Sequence, residues 1–156
     1  MTQMLLTRLC KEFNSKSLRY AIAGGFAVAL HGAVRGTVDV DLVLDLTEKN
    51  LKLCEDILKS MGFVSKIPVD ADLILKNRVV FIQEKNLIAW SFYNPNNPSE
   101  VIDILIHKDL ADMNSTTMKH ADIELSVVAK QDLINMKRES GRPQDIEDIK
   151  ALESLN

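Results

Sequence analysis

Three aspartates carry the chemistry open to this chain. Asp39 and Asp41 stand two residues apart in the run TVDVDLVL, and Asp103 interrupts SEVIDILIH. Side chains two apart on a strand share a face, so Asp39 and Asp41 repel each other unless a cation lies between them. Hard oxygen ligands held in this way suit Mg2+ or Mn2+ and, beside the ion, the phosphates of a substrate. Aspartate is disfavoured in strand interiors, and here three of them break Val-, Ile- and Leu-rich segments. A solvent-facing position on a half-exposed strand accounts for any one of them. It accounts less well for the pair, because Gly24-Gly25 precedes Asp39 by fourteen positions in AIAGGFAVALHGAVRGTVDVDLVL.

A glycine turn that opens a helix lets backbone N–H groups approach an anion, with the helix dipole adding to the attraction. A plain tight turn also explains Gly24-Gly25, and neither a GxGxxG nor a Walker pattern accompanies it. Arg35 and Thr37 stand just before the aspartates, where they either reach a phosphate or position the turn. Lys137 and Arg142 either neutralise phosphates or join Asp145 and Asp148 in an ion-pair web that fastens the C-terminal helix. His31 reads as a packed or capping histidine rather than a base. Trp90, Phe92 and Tyr93 read as core or strand-pairing residues rather than a platform for a nucleobase.

These residues need elements to hold them. Residues 1–16 predict an amphipathic helix, with Leu5, Leu9 and Phe13 interrupted by charges, rather than a signal peptide. Residues 17–23 predict a short buried strand, 26–32 a closely packed helix, and 37–44 a second strand. In that strand Val38, Val40, Leu42 and Leu44 face the core, opposite Asp39, Asp41 and Val43. Thr47 is the expected N-cap of a helix that carries Leu51, Cys54, Leu58 and Met61 on one stripe and stops at Gly62. From 63 to 86 the pattern is ambiguous: Ile67-Pro68 marks a break, and the rest reads as helix, strand or one after the other. LIAWSFYN and SEVIDILIH flank a turn-rich PNNP and predict an antiparallel hairpin, with Val101, Asp103 and Leu105 opposite Ile102, Ile104 and Ile106. Residues 109–121 predict a helix, 123–129 a strand, 130–140 a helix ended by Gly141, and the segment after Pro143 a last helix.

With 156 residues, 46% hydrophobic and 26% charged, the chain is expected to form a single domain over 1–156. A net charge of −3, from 19 basic and 22 acidic residues, argues against coating nucleic acid by bulk electrostatics. No apolar run is long enough to span a bilayer. Cys10 and Cys54 sit among helix-period apolar residues and match no metal-ligand spacing, which reads as buried thiols of a reducing compartment and hence a cytoplasmic protein.

Taken together, Gly24-Gly25, Asp39 with Asp41, and Asp103 resemble the signature of the nucleotidyltransferase superfamily of the DNA polymerase β type. The fuller run GGFAVALHGAVRGTVDVDLVL is similar to the AbiEii-like toxin nucleotidyltransferases and, more distantly, to the lincosamide and aminoglycoside nucleotidyltransferases. LINMKRESGRPQDIEDIKAL also resembles the segment that closes many such small bacterial proteins. The resemblance covers residues 18–45, the strand around Asp103 and residues 130–152. It implies an α+β fold with a mixed, mainly antiparallel sheet flanked by helices. It further implies that a nucleoside triphosphate binds as its magnesium complex and that a nucleoside monophosphate moves to an RNA, protein or small-molecule acceptor. In that scheme Asp39, Asp41 and Asp103 hold metal, Asp103 assists deprotonation of the acceptor, and Gly24, Gly25, Arg35, Thr37, Lys137 and Arg142 serve the triphosphate. The alternative is a non-catalytic module of the same fold, such as a toxin–antitoxin component that binds a partner protein.

Overall fold

The computed structural model describes residues 2–155. In chain order the elements are α1 (Thr2–Ser15), β1 (Tyr20–Ala23), α2 (Gly24–Leu30), β2 (Val40–Leu44), α3 (Glu48–Ser60), β3 (Val64–Ser65), α4 (Ala71–Lys76) and α5 (Arg78–Glu84). They continue with β4 (Ala89–Asn94), β5 (Asn97–Leu105), a 3-10 turn at Leu110–Asp112, β6 (Ser115–His120), β7 (Ile123–Val128), α6 (Lys130–Ser140) and α7 (Pro143–Glu153). The strands form one sheet in the order β3-β4-β5-β2-β1-β7-β6. β1–β7 and β2–β5 pair parallel and the other four neighbours antiparallel, so the sheet is mixed and mainly antiparallel, as the resemblance implies.

The period-2 patterns set its two faces. Leu42, Leu44, Ile102, Ile104, Trp90 and Phe92 are buried on one of them, with the Trp90 and Phe92 rings 4.8 Å apart. Phe13 of α1 meets Tyr20 of β1 at 5.0 Å on this side, and α1 packs against α3. Trp90 and Phe92 are therefore core residues. On the opposite face the small side chains of Ala21 and Ala23 let α2 lie close, burying Phe26, Ala27 and Val28. His31 ends α2 with Nε2 2.8 Å from the Val128 carbonyl, the packed role expected of it.

Thr47 caps α3, its hydroxyl accepting from the Asn50 N–H at 3.1 Å. Asn50, buried two residues into the helix, ties β1 to β2: its Oδ1 accepts from Arg19 N–H, and its amide donates to the Arg19 and Asp45 carbonyls. Cys10 and Cys54 are buried free thiols. Among the described residues no helix is long and apolar enough to cross a membrane.

The structure corrects three expectations and resolves one that was open. β1 begins at Tyr20 rather than residue 17, because Ser17 takes φ 57° and breaks the extended backbone. β2 begins at Val40, leaving Thr37, Val38 and Asp39 in the approaching loop with Val38 exposed rather than in the core. The ambiguous 63–86 stretch resolves into β3, α4 and α5. Residues 109–121 are not a helix: after the 3-10 turn, β6 forms the sheet edge and pairs with β7 through a two-residue turn at Ala121-Asp122. An edge strand with water on one side needs little apolar alternation, so STTMKH gives no period-2 signal.

Candidate active site

Register brings the carboxylates together. β2 and β5 run parallel with Asp41 opposite Asp103, on the face away from the Trp90–Phe92 core. Asp39 lies in the bend just before β2 and is exposed, so two of the three aspartates are strand residues and the third sits on the rim. All three line one cleft of about 790 Å3, together with Gly24, Gly25, Arg35, Thr37, Lys137 and Arg142. Every candidate site residue from the sequence thus meets in a single concavity.

The electrostatics of the pair are only partly relieved. Burial, then repulsion from Asp103, pushes the Asp41 carboxyl up to about 7, and Lys137 offsets only part of this. Burial and Asp103 raise Asp39 as well, against a lowering pull from Lys66. Among the described residues no three His, Cys, Asp or Glu side chains form a ready-made metal cage. Magnesium is commonly held by one or two carboxylates completed by substrate phosphates and water, and Asp41 with Asp103 supply such a pair. Two adjacent carboxylates that cannot both ionise easily alone are a donor set that fits a divalent cation.

The glycines have a physical reason. Gly24 takes φ +62°, and a Cβ there would overlap the Asp41 carboxylate, while a Cβ on Gly25 would stand 2.7 Å from Thr37 Oγ1. The close approach that Gly-Gly permits is to Asp41 and Thr37, which settles the turn against the carboxylate it helps to position. Gly24→Ala is expected to destabilise the protein by about 2 kcal/mol or more, from left-handed backbone strain plus the overlap. Urea unfolding in an Asp41→Ala background should show part of that cost removed, as coupled neighbours require.

The basic residues form a ladder rather than free cations. Lys137 is buried and reaches Asp145 at 3.2 Å and Asp148 at 2.9 Å, Arg142 pairs with Asp145 at 2.8 Å, and Arg35 with Asp148 at 2.9 Å. Burial alone would raise both carboxyls, yet hydrogen bonds from Arg142, Ser140 and Lys137 hold Asp145 below its ordinary value, and those from Arg35, Lys137 and Gln144 do the same for Asp148. The ladder ties α6 and α7 to the loop before β2. Gly141 at φ 63° and Pro143 at the start of α7 make the sharp turn that faces the two helices.

Sequence reasoning missed Ser91, whose hydroxyl donates to Asp103 Oδ1 at 2.5 Å. A register continued from the Asn94–Asn97 pair would put Asp103 opposite Ile88, but an irregularity after Tyr93 places it opposite Ser91. Pro98, unable to donate to the ladder, is the local signal for that irregularity. His107, Met136 and the Ile88–Ala89 segment, which also line the cleft, carried no signal in one sequence.

No protein-family model matches the chain, and no curated protein sequence does. Solved structures do match. An adenylyltransferase for lincosamide antibiotics, LnuA, bound to lincomycin, is 16% identical with TM-score 0.65, covering 100% of this chain and 99% of its own. ANT(2")-Ia in complex with adenylyl-2"-tobramycin is 14% identical with TM-score 0.67, covering 100% and 91%. A nucleotidyltransferase-like protein from Paracoccidioides brasiliensis is 20% identical with TM-score 0.61, covering 97% and 74%. At these identities the likeness is one of fold, and the chain has the nucleotidyltransferase-like fold that its aspartate pattern resembles.

Proposed function

We propose that the chain transfers a nucleoside monophosphate from a nucleoside triphosphate to an acceptor hydroxyl and releases pyrophosphate. The observation that carries this reading is the alignment of Asp41 with Asp103 across β2 and β5, at the floor of a cleft that also holds Gly24-Gly25 and three cations. Two neighbours of the same fold are crystallised with an antibiotic or an adenylylated antibiotic, which supports nucleotide transfer over other chemistry.

Asp41 and Asp103, with Asp39 at the rim, would hold Mg2+ or Mn2+, which when bound neutralises charge on the phosphates. Asp103 accepts the proton of the acceptor hydroxyl, and Ser91 fixes its carboxylate by donating to Oδ1 from the β4 side. The acceptor oxygen bonds to the α-phosphorus as the bond to pyrophosphate breaks. Arg142 stays paired with Asp145 while its side chain, 71% exposed, lines the cleft and meets the triphosphate from there, and buried Lys137 acts from where it stands. Arg35 and Thr37 hold the loop beside Gly25, Arg35 through its bonds to Asp148 and the Gly36 carbonyl.

Titration calorimetry with each of the four nucleoside triphosphates tests the assignment. Magnesium-dependent binding is expected in the parent and its loss, by about a hundredfold or more, in Asp103→Asn. Unchanged binding in that variant would contradict the reading.

A further inference from the structure

We infer that Lys66 is a further catalytic residue of this cleft, its ammonium meeting the non-bridging oxygens of the reacting phosphorus from the β4 side. This rests on the transfer reading above. β3 pairs with β4 so that Ser65 stands opposite Phe92, and the next residue, Lys66, donates its N–H to the Ser91 carbonyl at 2.9 Å. Ser65 faces the core, where its Oγ accepts from Trp90 Nε1 at 3.0 Å, so alternation turns Lys66 to the aspartate face. Asp41, Asp103, Ser91 and Lys66 therefore form one row across β2, β5, β4 and the end of β3. Neighbouring strands stand about 4.8 Å apart, which sets the Lys66 backbone about 9.6 Å from that of Asp103. The flexible four-carbon stem of a lysine spans most of that gap. Lys66 is exposed, and among the described residues it joins no ion pair.

Charge separates Lys66 from the other cations around the cleft. Lys137 and Arg142 are held by Asp145, Arg35 by Asp148, and all three stand on the side of α6, α7 and Gly25. Arg78 and Lys108 stand with His107 beyond the end of β5, Lys108 paired with Glu139 at 2.6 Å and Arg78 donating from Nε to the Ile106 carbonyl. Lys66 acts on the aspartates from the opposite side: burial and Asp103 raise the Asp39 carboxyl, and Lys66 draws it back. Asp39, Asp41 and Asp103 thus lie between two banks of positive charge. A phosphate bound beside Asp103 enters that gap, its tail toward Arg142 and Lys137 and its reacting end toward Lys66. Once a divalent ion neutralises Asp39, the Lys66 ammonium is released to turn to that phosphate. As the acceptor oxygen bonds to the phosphorus and the bond to pyrophosphate breaks, Lys66 keeps its proton and balances charge on the phosphoryl oxygens.

Three titrations at fixed ionic strength test this in the parent, Lys66→Met and Lys66→Arg. Mn2+ alone is followed by electron paramagnetic resonance; with Mn2+ present, calorimetry follows the α,β-methylene analogues of the four nucleoside triphosphates and, separately, inorganic pyrophosphate. Lys66 is exposed and its bond to Ser91 is made by the backbone, so both variants keep the fold. In Lys66→Met the triphosphate analogue should bind about tenfold or more weakly while pyrophosphate changes by less than about twofold. Mn2+ alone should bind that variant more tightly, because a cation facing the carboxylates is gone. Lys66→Arg keeps the charge and should stay within about threefold of the parent for the analogue. Analogue affinity that is unchanged in Lys66→Met, a pyrophosphate loss as large as the analogue's, or weaker binding of Mn2+ alone would overturn the inference. The two failures are distinct. Analogue binding that ignores Lys66→Met overturns the role of Lys66 alone, whereas a parent that binds Mn2+ but neither phosphate probe overturns the transfer reading and this inference with it.

Discussion

Asp41→Asn is expected to raise the unfolding temperature of the ligand-free protein at pH 8 by about 5 °C or more while abolishing magnesium-dependent triphosphate binding. Function and stability oppose each other at this residue. Folding buries the carboxyl beside Asp103 and lifts it from 3.8 to about 7. The folded state therefore binds more protons than the unfolded chain between those values, and stability falls as pH rises through that window. The shift corresponds to an upper bound of order 4 kcal/mol, at about 1.36 kcal/mol per pH unit. Asparagine keeps the shape against Gly24 but carries no charge. Melting curves from pH 4 to 8 should thus be flatter in the variant, with the two proteins converging in acid, where Asp41 is protonated. A variant that melts below the parent at pH 8 would show that the carboxylate is stabilised by something other than a bound cation.

Lys137→Met is expected to be the most destabilising conservative-volume change in the molecule, by about 3–5 kcal/mol. It removes the ammonium that Asp145 and Asp148 share and leaves both carboxylates buried, which costs far more than the intact ladder contributes. The pH dependence gives the cause away. In the parent both carboxyls titrate below their unfolded value, so their stabilisation is present above about pH 4 and is lost as pH falls through the lower folded values. Without Lys137 their protonation relieves strain, so the gap between variant and parent should narrow as pH falls from 7 toward 4. A gap that stays constant would mean that lost packing, not stranded charge, sets the cost.

The site was more legible in the sequence than parts of the fold. Asp39, Asp41 and Asp103 break Val-, Ile- and Leu-rich runs, and Gly24-Gly25 stands fourteen positions before Asp39, so the residues that meet in the cleft stand out from their local pattern. Gly141 and Pro143, with Asp145 three residues after Arg142, marked the turn between α6 and α7, but spacing alone left open whether Lys137 and Arg142 meet carboxylates or phosphates. The structure shows the carboxylate contacts. β6 was missed because an exposed edge strand needs only Met118 to face inward, and Leu110 and Met113 mimic a helical step before it. Ser91 was hidden by the irregular hairpin, since a strand register is a property of two segments and a turn, not of either segment alone. Asn50 carries no sequence signal for its three bonds to the backbones of Arg19 and Asp45, which flank β1 and β2.

The most direct test of the central claim is the thermal unfolding of the purified protein with each of the four nucleoside triphosphates, with and without magnesium. Specific binding to the native state must raise the midpoint, by about 2.7 kcal/mol of stabilisation at a hundredfold excess over the dissociation constant. A magnesium-dependent rise that disappears in Asp41→Asn and Asp103→Asn is the predicted result. No rise with any triphosphate at millimolar concentration would contradict the assignment of this cleft to nucleotide transfer.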